Sequence, residues 1–463
     1  MGVLNLDDTI AAIATPLGEG GIGIVKISGP AAVEILHTLF SPTPPSAAPF
    51  RFRPRQLHWG YIRDPRDGSV VDEVLAVVMP APHSYTRQDV VEIQSHGGIL
   101  PVRRILELAL TYGARLAEPG EMTLRAFLNG RIDLAQAEAV RDIVQARTEA
   151  ALRMAAAQLG GQLSARVRLT RAQLLNVLAY LEASIDFVED EIPPQDVSIS
   201  LGAAADALTE LLTAADRGMI YRYGVRTAIV GRPNVGKSSL LNALLRGDRA
   251  IVTPIPGTTR DTLEETVNLQ GVPLILVDTA GIRAHPQDEV ERIGVERSRA
   301  ALRQADLALL VLDGSCPLET ADFEIAALIG ERPALVVINK SDLPAQAEPD
   351  AVLSILPSAP HIRISALTGE GITELEAAIL ERVLGGQVLT SDMPLVSNAR
   401  HKAALSQARE HVLAAIEGHR KGLSADLVAI DVREAVDVLG EITGESATAD
   451  LLETIFSQFC IGK

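Results

Sequence analysis

The spacing of apolar positions changes several times along this chain, and each change marks a segment. From about Asp8 to Leu124, short apolar runs are separated by polar turns. Thr9–Ala14 and Gly23–Ser28 read as strands around the turn Gly18-Glu19-Gly20-Gly21. That turn is a plain hairpin connection, since no Gly-Lys-Ser/Thr follows it. Ser28-Gly29-Pro30 opens a helix over Ala31–Phe40, and Pro42–Pro54 reads as a loop. Strands are expected over Gln56–Arg63, Val71–Met79 and Val90–Gln94, and a helix over Ile99–Tyr112. From Glu121 the period becomes that of long helices rich in Ala, Leu, Gln, Glu and Arg, interrupted near Pro193-Pro194 and resuming over Ile199–Ala215. From Gly224 to about Leu384, apolar strands (Thr227–Val230, Leu274–Val277, Leu307–Leu312, Leu335–Ile338, Ile362–Ile364) alternate with amphipathic helices. That alternation predicts a doubly wound α/β sheet with its ligand at the strand C-termini. Helical composition returns over Asn398–Gly418 and Val428–Gly440. The expected architecture is multidomain: an α+β domain over 1–124, an α-helical domain in two parts (125–222 and 385–463), and an α/β domain over 223–384 inserted between them. Three sequential domains are the alternative. Insertion is preferred because neither helical flank alone looks like a complete bundle.

The candidate chemistry lies in the α/β segment. Gly231-Arg232-Pro233-Asn234-Val235-Gly236-Lys237-Ser238 follows one apolar strand and precedes the helical run Ser239–Leu245. This is the strand–loop–helix setting of a P-loop, in which backbone N–H groups and a helix N-terminus cradle phosphates. Lys237 reaches the β- and γ-phosphates, and the Ser238 hydroxyl ligates Mg²⁺. Further on, Thr253-Pro254-Ile255-Pro256-Gly257-Thr258-Thr259 supplies Thr259 as a second Mg²⁺ ligand. Asp278-Thr279-Ala280-Gly281 supplies a metal-holding carboxylate and then a glycine N–H for the γ-phosphate. Asn339-Lys340-Ser341-Asp342 places a carboxylate that can accept from two guanine N–H groups, which adenine cannot offer. Ser365-Ala366-Leu367 adds a backbone N–H for the guanine carbonyl. These elements in this order predict a Ras-like G domain that binds GTP and Mg²⁺.

The remaining composition narrows the setting. Lys and Arg number 42 against 59 Asp and Glu, a formal charge of −17, so a broad basic coat for nucleic acid is excluded and any RNA contact must be local or shared with a partner. Only Cys316 and Cys460 occur, which points to a reducing, cytoplasmic compartment without a disulfide framework. The early acids Asp7 and Asp8 do not resemble a signal peptide. The apolar runs read as too short or too interrupted to span a membrane, so no membrane partner is expected.

Hydrolysis poses a separate question. Where many GTPases carry a water-orienting Gln after the Asp-x-x-Gly motif, Ile282 stands here. No arginine finger is evident within the chain, although Arg260 and Arg283 are near. A monovalent cation held by Asn234 and the carbonyl-rich loop Thr253–Thr258 could neutralise charge on the β–γ bridge; a loop-shaping role for Asn234 is the alternative.

Four separated stretches then converge: Gly20-Gly21-Ile22-Gly23-Ile24 with Ser28-Gly29; Val91-Glu92-Ile93-Gln94-Ser95-His96-Gly97-Gly98; Pro119-Gly120-Glu121 with Arg125–Ala139; and the terminal Phe459-Cys460-Ile461-Gly462-Lys463. With the G motifs between them, the chain resembles, nearly end to end, the MnmE/TrmE family of tRNA uridine-modification GTPases. The resemblance implies a homodimer that acts with an FAD-dependent partner protein on the wobble uridine of certain tRNAs. It implies installation of an aminomethyl or carboxymethylaminomethyl group at C5, with 5-formyl- or another tetrahydrofolate derivative as one-carbon donor. It also implies GTP hydrolysis driven by K⁺-promoted dimerisation of the G domains. Carried over by motif, Lys26, Glu92, Arg131 and Lys463 should contact folate; the family often has Arg at the first position and Lys at the third. Asn234 with backbone groups of Thr253, Ile255 and Thr258 should bind K⁺. Lys237, Thr259, Asp278 and Glu291 should serve hydrolysis, Glu291 by organising water, with Glu289 as fallback because the preceding loop blurs the alignment. Cys460 is either a reactive thiol or a packed structural one, and Cys316 reads as incidental. A ribosome-assembly GTPase and a membrane-transport G protein are the competing functions. The first predicts nothing for the first ~120 residues or for the Cys-Ile-Gly-Lys ending, and the lack of spanning segments argues against the second.

Overall fold

The computed structural model describes residues 6–45, 50–186, 193, 195–246, 250–251, 265–277, 299–385 and 396–462. By its contacts the chain forms two compact units, each assembled from separate stretches: Met1–Arg141 with Gln158–Leu201 and His411–Lys463, and Asp142–Ala157 with Gly202–Glu410.

The first unit holds a seven-stranded sheet. Its strands are β1 (Ile10–Ile13), β2 (Gly20–Ser28), β3 (Phe40–Pro42), β4 (His58–Arg63), β5 (Val70–Met79), β6 (Val90–Gly97) and β7 (Arg115–Leu116), in the order β3-β4-β5-β6-β2-β1-β7. β1 and β2 pair antiparallel around the Gly-rich turn, so that turn is a hairpin connection. Strand residues alternate between faces. Val25, Ile27, Val74, Ala76, Val91 and Ile93 pack beneath the helices Ala32–Leu39 and Ile99–Thr111. Their neighbours Lys26, Leu75, Glu92 and Gln94 therefore stand on the opposite face. The expected loop over Pro42–Pro54 begins with the short edge strand β3, and β7 had no sequence signal because it is two residues long. In the same unit the long helix Gln162–Asp186 packs along Ala425–Thr443, although more than two hundred residues separate them in sequence.

The second unit holds a second seven-stranded sheet: β8 (Val225–Val230), β9 (Ala250–Ile251), β10 (Glu265–Leu269), β11 (Val272–Val277), β12 (Leu307–Asp313), β13 (Ala334–Asn339) and β14 (His361–Arg363). The order is β14-β13-β12-β8-β11-β10-β9, parallel throughout except for the antiparallel edge of β10 and β9. β10 (Glu-Thr-Val-Asn-Leu) mixes polar and apolar residues, which is why it lacked the continuous apolar run that marked its parallel neighbours. β8, β11 and β12 are buried almost throughout, as a sheet covered on both faces requires.

The helix Val197–Tyr223 departs from the expectation that no apolar run is long enough for a membrane. It spans 27 residues, and by length and composition alone it passes that test. Part of that apolarity is packed within the protein, with 33% of its most apolar stretch buried. Ala204, Ala205, Leu208, Ala215 and Tyr221 recur at helical spacing and are buried. Polar positions flanking that stripe are tied to the helix Ala399–Arg420 by Lys402–Asp216 and by an Arg409–Thr209 hydrogen bond of 2.8 Å.

Candidate functional site

β8 delivers the chain to the loop 231–236, and the helix Lys237–Leu245 begins directly after it. Gly236 adopts φ 101°, and a Cβ there would sit 2.0 Å from the Asn339 amide nitrogen. Only glycine permits that approach, which has a purpose. Asn339 is buried, donates from Nδ2 to the Val235 carbonyl at 2.8 Å, and accepts at Oδ1 from the Ala366 N–H at 3.0 Å. One side chain thus fastens three of the sequence-predicted elements to each other. Asp342 belongs to the same cluster. Its Oδ1 accepts from the Ser365 hydroxyl at 2.6 Å, and Ser365 also receives the Thr368 N–H at 3.1 Å. Lys340 lies in the left-handed region at φ 67° and pairs with Asp313 at the end of β12. Burial raises the Asp313 carboxyl, but hydrogen bonds from Lys340 and Ser315 outweigh this and hold it below the usual carboxylate range. Leu367 is 74% exposed beside these groups, available to cover a base.

At the phosphate end, the Lys237 ammonium donates to the carbonyls of Gly231 and Arg232 at 2.7 and 2.6 Å. Burial lowers its pKa to about 8. Ser238, Ser239 and Asn234 are exposed, with Asn234 at φ 66°. Arg232, which the motif leaves free to vary, was not singled out by sequence. It pairs with Glu319 and, at 2.8 Å, with the fully buried Asp322, the two residues that cap the helix Thr320–Ile329. These partners raise the Arg232 pKa further against the opposing effect of burial. Cys316 is half-buried, 3.9 Å from the Arg232 guanidinium. Thr253, Pro254, Ile255, Pro256, Gly257, Thr258, Thr259, Asp278, Thr279, Ala280, Gly281, Glu289 and Glu291 lie outside the described residues.

A second site occupies the first unit. Lys26 and Glu92 are cross-strand partners of β2 and β6, with Nζ and Oε1 3.4 Å apart. Tyr85 stands beside them, its hydroxyl 2.9 Å from the Thr123 hydroxyl. The Arg131 guanidinium lies 4.6 Å from the Tyr85 ring centroid and the Lys26 ammonium 6.0 Å from it. Lys26, Tyr85, Glu92, Met122 and Gly462 border a cavity of about 170 Å³. Three of the four residues expected at a folate site are therefore gathered around one ring. Lys463 lies outside the described residues, but its neighbour Gly462 reaches the cavity. Gly462 has φ 91°, and a Cβ there would meet the Ile13 carbonyl at 2.4 Å, so glycine is what lets the terminal segment lie against the end of β1. The Cys460 residue is exposed. Tyr85 is the residue sequence reasoning missed: it sits in a polar, Pro-rich connection with no periodicity to mark it.

A parallel sheet carrying a phosphate loop, with Asn339, Asp342 and Ser365 clustered beside it, defines a P-loop GTPase. Its family follows from the comparisons. The MnmE helical domain matches residues 134–460, and the GTP-binding protein TrmE N-terminus matches residues 9–131. The chain is 53% identical to the tRNA modification GTPase MnmE of Roseiflexus sp. (strain RS-1), covering 99% of each chain. It is 52% identical to the protein of that name from Chloroflexus aurantiacus (99% and 100% covered) and 49% to that of Geobacillus kaustophilus (98% and 99%). The chain belongs to the MnmE/TrmE family.

Proposed function

We propose that the chain is the GTP-hydrolysing component of a tRNA-modifying complex that adds an aminomethyl or carboxymethylaminomethyl group to C5 of the wobble uridine of certain tRNAs. The observation that carries this reading is the presence, on one chain, of a P-loop site and a separate cavity bordered by Lys26, Glu92 and Tyr85, with the Arg131 guanidinium against the Tyr85 ring. A GTPase that acts only as a switch has no use for the second. Full-length similarity to proteins named tRNA modification GTPases supports RNA as substrate. The family resemblance supports a homodimer and an FAD-dependent partner.

The cavity fits a reduced folate by its chemistry. Lys26, Arg131 and Lys463 would draw the carboxylates of the glutamate tail, Glu92 would accept from the donor edge of the pterin, and Tyr85 offers a flat apolar wall. A bound tetrahydrofolate derivative supplies the one-carbon unit.

At the nucleotide site, Lys237 and the loop N–H groups would hold the phosphates of GTP, and Asn339, Asp342 and Ala366 would orient the guanine. Ser238 and Thr259 would ligate Mg²⁺, with Asp278 behind it. Glu291, or Glu289, would orient the attacking water as the bond from the γ-phosphorus to its bridging oxygen breaks. Asn234 and the carbonyls of Thr253, Ile255 and Thr258 would hold K⁺ in place of an arginine finger. The left-handed backbone and exposure of Asn234 support an outward-facing ligand there.

Calorimetric titration of the full chain with 5-formyltetrahydrofolate tests the reading. Saturable binding is expected, weakened at least tenfold by Glu92→Gln and by Tyr85→Ala, with GTP binding unchanged in both. No folate binding by the wild-type chain would leave a GTP-dependent switch of the ribosome-assembly kind as the better account.

A further inference from the structure

Tyr85 borders the cavity from the connection 80–89, which has neither helix nor strand to hold it. Its polar groups must find partners elsewhere. Four consecutive residues find them on the helix Glu121–Leu128 and its cap Asn129. The Tyr85 hydroxyl lies 2.9 Å from that of Thr123, a fully buried residue. The Thr86 carbonyl accepts from the Asn129 side-chain amide at 2.6 Å. Arg87 donates to the Asn129 carbonyl at 2.9 Å. The Gln88 side-chain carbonyl accepts from the Arg125 guanidinium at 3.1 Å. Arg125 is itself completely buried and paired with Asp8 and Glu121, so this end of the connection is anchored in the interior.

The same helix also shapes the cavity. Met122, next to Thr123, is one of the bordering residues. Arg131, two residues past the cap, lies over the face of the Tyr85 ring, 4.6 Å from its centroid. The ring is thus held at its tip by Thr123, through its backbone by the Asn129 contacts to Thr86 and Arg87, and on a face by Arg131. Burial keeps the Tyr85 phenol above its ordinary pKa, so the hydroxyl retains its proton at neutral pH and has one to share with Thr123. With that hydroxyl engaged, the residue offers a ligand the surface of its ring.

We propose that Thr123 is a positioning residue for this cavity: it acts on the ligand through the Tyr85 ring, which it holds by the hydroxyl before the ligand arrives. The proposal rests on the reading of the cavity as a folate site and adds how its aromatic wall is kept in place. A ring that is already ordered loses no further freedom when a ligand docks on it, and ordering one such side chain costs about two- to tenfold in affinity. Flat heteroaromatic ligands gain most from a fixed ring face.

The test is a double-mutant cycle on the full chain, with 5-formyltetrahydrofolate affinity measured by calorimetry. Thr123→Val and Tyr85→Phe remove the same hydrogen bond from its two ends. Each should weaken binding about fivefold, and the double variant should also be about fivefold weaker, because the second change has nothing left to remove. Thr123→Ser keeps the hydroxyl and should bind within about twofold of wild type. GTP binding should be unchanged in all four, which shows that they are folded. Wild-type affinity in Thr123→Val overturns the proposal. So does a double variant about twenty-fivefold weaker, which would put the Tyr85 hydroxyl on the ligand independently of Thr123. A second measurement needs no ligand: 3-fluorotyrosine placed at position 85 should give one narrow fluorine resonance, broadened by Thr123→Val and restored by Thr123→Ser. An equally narrow resonance in Thr123→Val overturns the proposal whether or not folate binds. If the wild type binds no folate while the resonance responds as expected, the reading of the ligand fails and the positioning role of Thr123 stands.

Discussion

The Asn339 side chain donates to the Val235 carbonyl at 2.8 Å, so the Asn339–Asp342 loop and the loop 231–236 are fastened by one buried amide. Its Oδ1 accepts from the Ala366 N–H, which brings in the third loop. Asn339→Ala would leave a buried carbonyl and a buried N–H without partners, at a cost of about 1–3 kcal/mol for each group. A lower melting temperature is expected, together with at least a tenfold loss of affinity for a fluorescent GTP analogue. Binding as tight as wild type would show that the loops are aligned by other contacts.

Lys237 gives the site a pH dependence. Burial brings its pKa from 10.5 to about 8, below the value of the unfolded chain. Between those two values the unfolded chain carries the extra proton, so this group makes the folded protein more stable as pH rises through that window. The gain is about 3 kcal/mol at most. Below about pH 8 both states are protonated and the contribution is flat. Contact with phosphate favours the charged form, so GTP binding at pH 9 should take up close to one proton. Calorimetry in buffers of different ionisation enthalpy would register that uptake, and Lys237→Met should abolish it.

The two sites were unequally legible in the sequence. The nucleotide site was readable because each loop is contiguous: Gly231–Ser238, Asn339–Asp342 and Ser365–Leu367 are short runs whose spacing alone states their chemistry. The reason Gly236 must be glycine was not readable, because it depends on Asn339 arriving from a distant strand. The same holds for Arg232, whose partners Glu319 and Asp322 lie about ninety residues away. At the cavity, Lys26, Glu92 and Arg131 were named only through resemblance, since a Lys–Glu pair across two strands looks like any solvated pair. Tyr85 escaped notice because an aromatic ring in a loop carries no period. The β-strands and helices with strong periodicity matched their expected spans closely, whereas β3, β7 and β9 are too short to produce a pattern.

Cation dependence is the next consequence. Steady-state GTP hydrolysis measured in K⁺ and in Na⁺ at equal ionic strength should differ by an order of magnitude or more, and Asn234→Ala should remove most of the difference. Equal rates would eliminate the K⁺ assignment and direct attention to Arg260, Arg283 or an arginine from a partner.

The most direct measurement is nucleoside analysis by mass spectrometry of tRNA from cells that lack this chain and are then supplied with wild type, Lys237→Met or Glu92→Gln. Wobble uridines without the C5 group are expected in the deleted cells, with recovery by the wild type and little recovery with either variant if the nucleotide site and the cavity beside Glu92 are both needed. Fully modified wobble uridine in the deleted cells would contradict that expectation.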